Sequence, residues 1–299
     1  MKHDRHEHPA GIEKCPVQIF TGTSWQASAA DIVREVHLEV HLNGRKMITI
    51  ACTGIHLEEL AVGWLRGEGL IRTAREIEAV EVGGEGMSIH VNTRPGLAAG
   101  QPVSQGSGRD GGQVISSSGA RSAASEISGS GSETGLSGAQ PMKPLTGAGE
   151  GRNVVGMKPL AIGTETITPA RIFTLMEELV AAAGIHNLSR GTHGAALADS
   201  SDIFVTREDI GRHNCLDMLS GYTLLHDIDG ADKILLRTGR VSSEIVHKIW
   251  RMGIPVVLSL SVPTALAISL AGQAGITLVG AIRAPSLTVY THTKRIRES

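Results

Sequence analysis

Three parts of the chain gather groups able to bind anions or move protons, and each adjoins an apolar run. The densest is Arg207-Glu208-Asp209-Ile210-Gly211-Arg212-His213-Asn214, six polar residues around one glycine. Its carboxylates, guanidinium groups and imidazole could hold an anion or exchange protons. The plainer reading is that Asp209 or Asn214 caps the next helix while Asp209 pairs with Arg212. In Ser189-Arg190-Gly191-Thr192-His193-Gly194, His193 is either a structural hydrogen-bonding residue or an acid–base group. The third part is a series: Arg237-Thr238-Gly239-Arg240 leading to Ser242 and Ser243, then Ser259-Leu260-Ser261-Val262-Pro263-Thr264, then Arg283-Ala284-Pro285-Ser286.

A hydroxyl residue before a helix caps its N-terminus, where unpaired N–H groups favour negative charge. Ser261 is the expected cap here, with Pro263 in the first turn. If two such termini converge with Arg237, Arg240 and Arg283, they make a pocket for phosphate or diphosphate. Otherwise the hydroxyls only cap helices, as in any α/β protein. The chain contains neither GxxxxGK[ST] nor GxGxxG, which removes the P-loop and the Rossmann fingerprint. His6-Glu7-His8 stands in a polar N-terminal segment, and His56-Leu57-Glu58 matches only the HxE half of a zinc deaminase signature. Without a CxxC the zinc ligand set is incomplete, and no zinc is expected.

The elements that must position these groups follow from periodicity. Alternating runs either side of Asn43-Gly44, between Val33 and Cys52, predict a hairpin. Leu57, Leu60, Ala61, Trp64 and Leu65 mark a helical face, and Ile77–Val82 and Met87–Val91 read as strands. Later come helix Ala170–Ala183, strand Ile203–Thr206, helix Asn214–Leu225 and strand Lys233–Arg237. Helix Ser242–Met252, strand Pro255–Ser259, helix Thr264–Ala271 and strand Thr277–Ile282 complete the series. The expected fold class is α/β: a mixed, partly parallel sheet with flanking helices, plus a smaller α+β N-terminal part. Ligands of such sheets sit outside the carboxyl ends of the strands, where the polar series falls. The expected division is 16–97 for the N-terminal part, 98–156 for an insertion and 157–299 for the C-terminal part.

The insertion is compositional. Residues 98–151 hold 13 Gly and 11 Ser and no aromatic residue, too little apolar surface to offset the entropy of ordering. As a flexible coil the segment would span roughly 40 Å. The formal charge of −2 argues against a nucleic-acid partner. No run reaches the ~18–20 apolar residues of a membrane span, and the polar N-terminus lacks the core of a secretory signal. Cys15, Cys52 and Cys215 are widely spaced and odd in number, which suits a reducing cytoplasm.

EDIGRHNCLD, the run from RTGRVSSEIVHK to LVGAIR, and the ending VYTH together resemble the FdhD/NarQ family, the formate dehydrogenase accessory sulfurtransferases. SRGTHGAALAD resembles that family's TGGxHAAAL loop, and EVHLEVHLNG with HLEELAVGWLRGEGLI resembles its N-terminal strands and helix. The resemblance covers roughly residues 30–95 and 165–293. It implies a C-terminal part similar to the cytidine-deaminase-like fold, without zinc. It also implies a cytoplasmic sulfur carrier, a homodimer, that takes persulfide sulfur from a cysteine desulfurase. The sulfur passes to the molybdenum of bis-molybdopterin guanine dinucleotide, bound as cargo, which then enters the catalytic subunit of formate dehydrogenase. The family's cofactor stretch falls on Ala281, Ile282, Arg283, Ala284, Pro285 and Ser286. The loops carrying His193, Arg212, His213, Thr238, Ser242, Ser261 and Thr264 would line the rest of the pocket.

One departure bears on mechanism. The family's mobile loop usually carries a CxxC whose first cysteine bears the persulfide. The corresponding region here, the insertion with Arg152-Asn153-Val154-Val155-Gly156-Met157, has no cysteine. A carrier needs an accessible thiolate. Cys215 is the leading candidate to substitute, because it follows Arg212-His213-Asn214 at a helix start, against the plainer reading that each cysteine is an inert small hydrophobe. Cys52, at a strand end, lacks adjacent cations, and Cys15 lies in the N-terminal tail. The other reading is a non-catalytic cofactor-binding chaperone that has lost sulfur transfer.

Overall fold

The computed structural model describes residues 10–84, 86–95, 157–160 and 166–298, and the 98–156 insertion lies outside them. The chain opens with a two-stranded ribbon, β1 (Ile12–Phe20) and β2 (Trp25–Val33). This is a correction for Cys15: it is in β1, not in a tail. The predicted hairpin is β3 (Val36–Leu42) with β4 (Arg45–Cys52). Both turn residues take positive φ, Asn43 at 50° and Gly44 at 77°, the backbone that tight hairpins require. Helix α1 (Leu57–Glu68) follows, then β5 (Ile77–Val82) and β6 (Ser88–Thr93). The four-stranded sheet has the order β4-β3-β6-β5, with β3 and β6 parallel. Alternation in β3 buries Leu38, Val40 and Leu42 against α1.

After the insertion come α2 (Pro169–Ala181), capped by Thr168, and the short α3 (Gly184–Ser189). The second sheet contains β7 (His193–Ala198), β8 (Ile203–Asp209), β9 (Ile234–Arg237), β10 (Val256–Ser259), β11 (Thr277–Arg283) and β12 (Ser286–Val289). Helices α4 (Arg212–Leu225), α5 (Ser243–Met252) and α6 (Ala265–Ala274) alternate with these strands. The order is β12-β11-β10-β9-β7-β8; β9, β10 and β11 are parallel, and the other pairs are antiparallel. One core packs α4, α5 and α6 against one face of this sheet, and a second packs α2 against the other. The mixed α/β class is as the sequence predicted.

All described residues belong to one compact unit, and α4 is the reason. Its Cys215, Leu216 and Leu219 enter the large-sheet core, while Met218 and Leu224 enter the core of the small sheet. Helices α1 and α4 cross on two glycines. A Cβ on Gly63 would meet the Asp217 carbonyl oxygen at 1.7 Å, and one on Gly221 would meet the Glu59 carbonyl oxygen at 1.9 Å. An ordinary helical Gly→Ala change stabilises by ~1 kcal/mol. Gly63→Ala should reverse that sign and cost about 1–3 kcal/mol in urea unfolding, the usual scale of overpacking.

Candidate functional site

The site is built on two buried carboxylates at the end of β8. Asp209, wholly buried, accepts from Thr53 N (2.8 Å), Thr53 Oγ1 (2.8 Å), Gly211 N (2.9 Å) and Asn214 Nδ2 (2.6 Å). It therefore fixes the end of β4 to the start of α4. The expected Asp209–Arg212 pair is not formed; four donors from Thr53, Gly211 and Asn214 occupy the carboxylate. Glu208 accepts from Ile185 N, His186 N and Thr192 Oγ1. That holds the loop entering His193 against the beginning of α3.

The strand ends are stitched side by side. Thr238 N donates to the Gly194 carbonyl, and Gly194 N donates to Thr238 Oγ1. Ser259 Oγ donates to the Gly239 carbonyl (3.1 Å) and accepts from Ser261 N (3.1 Å). Thr264 N donates to the Val241 carbonyl, and Ala281 N to the Ser261 carbonyl. Gly280 must be glycine at this crossing, because a Cβ would stand 2.8 Å from the Ser261 oxygen. His193, Arg212, His213, Thr238, Ser242, Ser261, Thr264 and the start of the 281–286 stretch thus occupy one edge of the sheet.

Not all of these side chains are free to meet a ligand. Thr238 Oγ1 is spent on Gly194, and Thr264 Oγ1 caps α6 by accepting from Ala267 N. Thr264, rather than the predicted Ser261, is that cap. Ile282 is 2% exposed and lies in the core. Ala281 has φ of 50°, and Arg283, Ala284, Pro285 and Ser286 form the exposed turn from β11 to β12. Ser242 stands at the N-cap of α5, yet its Oγ is buried without a partner.

Electrostatically the edge is cationic, and one of its cations is buried. Arg237, which ends β9, is 2% exposed. Its Nε donates to the Gly239 carbonyl (2.9 Å), and its Nη2 is buried with no partner. Burial lowers its pKa to about 10, leaving it charged at neutral pH. His213 is pushed down to about 4 by burial and then by Lys248, Arg212, Arg237 and His193. Burial, then Arg237, Arg212 and His186, also lower His193. Both rings are therefore neutral at pH 7, which makes the 3.3 Å approach of His213 Nε2 to Glu244 a weak contact rather than an ion pair.

The cysteines give a different result from the one expected. Cys215 is 1% exposed; its Sγ contacts the His193 carbonyl at 3.3 Å, and burial followed by the Asp209 carboxylate pushes its pKa up. The helix start and nearby cations do not overcome the desolvation of a thiolate. Cys52 is likewise buried and pushed up to about 11. Cys15 alone among them is partly exposed. Among the described residues no cluster of three or more His, Cys, Asp or Glu could hold a metal, and no helix is long and apolar enough to cross a membrane.

Fold and site together define a mixed α/β protein with a cationic edge where the parallel strands end. The chain belongs to the FdhD/NarQ family, whose pattern it matches over residues 33–297. It is 33% identical over 298 residues to the sulfur carrier protein FdhD of Bacillus pumilus, covering 97% of this chain and all of that one. It is 32% identical to the protein of the same name from Bacillus subtilis, covering 89% of this chain and 90% of the relative. In fold it is similar to the crystal structure of a protein proposed as a formate dehydrogenase accessory protein in Desulfotalea psychrophila. There the TM-score is 0.69, at 22% identity, over 96% of this chain and 99% of that one.

A histidine kept neutral by folding contributes stability above its unfolded pKa, near 6.5, and loses it as pH falls toward its folded value. Thermal midpoints should therefore drop between pH 6.5 and about 4, and the drop should be shallower in His213→Asn.

Proposed function

We propose that this protein is a cytoplasmic sulfur carrier for formate dehydrogenase. It receives sulfur from a cysteine desulfurase and delivers it to the molybdenum of bis-molybdopterin guanine dinucleotide before the cofactor enters the catalytic subunit. The observation that carries the reading is the near full-length likeness to curated relatives named as sulfur carriers. Cargo binding finds support in the charge of the strand ends: the unpartnered Arg237 and the exposed Arg212 and Arg283 suit diphosphates. A homodimer belongs to the same reading.

The acceptor of sulfur is a cysteine thiolate that attacks the terminal sulfur of the desulfurase persulfide, displacing the desulfurase cysteine as thiolate. Among the three cysteines only Cys15 can reach a partner without unfolding its surroundings. Incubation with desulfurase and labelled cysteine should add about 32 Da, one sulfur atom, to Cys15, and Cys15→Ser should abolish the adduct. Label on Cys215 or Cys52 would contradict this assignment.

The buried state of two cysteines and the missing CxxC favour a second reading, a cofactor-binding chaperone without sulfur transfer. It predicts no adduct at all, together with GDP binding that survives replacement of all three cysteines. Under either reading Arg283→Glu should weaken GDP binding by about 1–2 kcal/mol, the scale of a lost charge-assisted hydrogen bond, as read by calorimetry. Unchanged affinity would place the nucleotide elsewhere.

A further inference from the structure

A strand at a sheet edge exposes a row of unpaired N–H and C=O groups, and folded proteins blunt such edges with charges, proline, bulges or short strands. Among the described residues every edge strand but one is blunted in this way. Strand β12 has only four residues. Strand β8 shifts register beside Ile203, and its Thr206 carbonyl accepts from Arg207 Nη1 (2.8 Å). Strands β4 and β5 also shift register, and carry Arg45 with Lys46 and Glu78 with Glu81. Strand β1 has Pro16 at its middle, with no N–H to offer.

Strand β2 is the exception. Its nine residues keep one register throughout and contain neither proline nor glycine. Its single charge, Asp31, is matched by Lys14 at 3.5 Å. Thr21 N donates to the Ser24 carbonyl (3.0 Å), which makes that pair hydrogen-bonded and fixes the alternation along the ribbon. Phe20–Trp25, Gln18–Ala27 and Pro16–Ala29 are therefore non-hydrogen-bonded pairs, whose N–H and C=O groups point out of the ribbon. On β1 that row includes the proline. On β2 it is Trp25, Ala27 and Ala29, all exposed and paired with no other element among the described residues. The ribbon is held only at its root, where Ile12 is buried and Arg34 N donates to the Gly11 carbonyl (2.8 Å). At the tip, Phe20 and Trp25 have ring centroids 5.2 Å apart and are 53% and 68% exposed. Two strands alone are marginal in water, and further strands stabilise them.

We propose that β2 pairs antiparallel with β2 of a second copy of this chain, giving a four-stranded sheet in the order β1-β2-β2-β1. Identical strands paired antiparallel make an isologous contact that closes, and Pro16 on each outer strand stops further growth. No like charges are brought together, since each Asp31 already has its lysine. Four rings with roughly 100 Å² each left to bury, added to about 30 Å of paired edge, are on the scale of the ~1,000 Å² of a specific interface. Cys15 lies on the outer strand and keeps its access to a partner. The second copy rests on the homodimer of the preceding reading, whereas the open edge stands on the ribbon's own geometry.

The test is sedimentation velocity of the full chain across a concentration series, for wild type, Ala29→Pro, Ala27→Pro and Gln18→Pro. Each variant places proline at an outward N–H, so no hydrogen bond inside the ribbon is lost, and Pro16 shows that this row accepts the residue. Wild type should sediment as two chains. Ala29→Pro and Ala27→Pro should each weaken the dimer roughly tenfold or more, with circular dichroism unchanged. Gln18→Pro, on the blunted edge, should leave the dimer intact. A dimer that persists in both β2 variants would overturn the interface and leave the homodimer standing. Equal weakening in Gln18→Pro would overturn the assignment to β2. A single chain in wild type would overturn the pairing and the homodimer together; loss of desulfurase binding in Ala29→Pro would then assign the edge to a strand of that partner. Persulfide loading of the cysteines is read separately by mass spectrometry, so failure of the sulfur-carrier reading leaves this outcome intact.

Discussion

Four hydrogen bonds converge on the buried carboxylate of Asp209, and the geometry of the site depends on them. Two of them bridge 156 residues of sequence to Thr53, from its N and its Oγ1. The others bind Gly211 and Asn214, so the same two oxygens set where β4 ends and where α4 begins. Each donor left unpaired in the interior would cost ~1–3 kcal/mol, and a charged acceptor raises the stake. Asn214 also donates to the Ala51 carbonyl, so both sheets share this junction. Fixing the α4 start in turn fixes Arg212 and His213 at the sheet edge.

The burial that isolates the Arg237 guanidinium disables a thiolate at Cys215. A guanidinium lowered only to about 10 remains charged at neutral pH, so burial leaves its capacity to attract an anion intact. A thiol starts near 9 and is pushed further up by burial, with the Asp209 carboxylate adding to the effect. One environment therefore favours binding charge that arrives on a ligand and opposes making charge on cysteine. The proposed cargo binding and the proposed sulfur carriage therefore make opposite demands on this environment. Cys15, on the β1–β2 ribbon, is partly exposed.

The sequence shows the elements whose apolar residues repeat regularly. Asn43-Gly44 announced its hairpin, and the alternation after residue 203 places every later helix and parallel strand within a few residues. Strand β7 was hidden because its small residues, Gly194 and three alanines, carry no strong alternation; pairing with β8 and β9 makes it a strand. The ribbon of β1 and β2 was hidden because most of its residues are exposed, leaving no buried face to read. At the site, residue types pointed to the loops at the carboxyl ends of the strands, but not to which hydroxyls were already spent. Thr238 and Thr264 are engaged by backbone N–H groups, while Ser242 is not. Nor could spacing reveal that Asp209 serves Thr53, since the partner comes from the other sheet.

The central claim is that one edge of the large sheet, from Arg237 through Thr264 to Ser286, receives a phosphate-bearing ligand. Hydrogen–deuterium exchange of the full chain with and without GDP tests it most directly. Slowed exchange should appear in the amides of residues 238–246, 259–265 and 280–286, with the exposed ribbon 12–33 unchanged. Protection confined to other segments, or no protection under saturating nucleotide, would contradict the account.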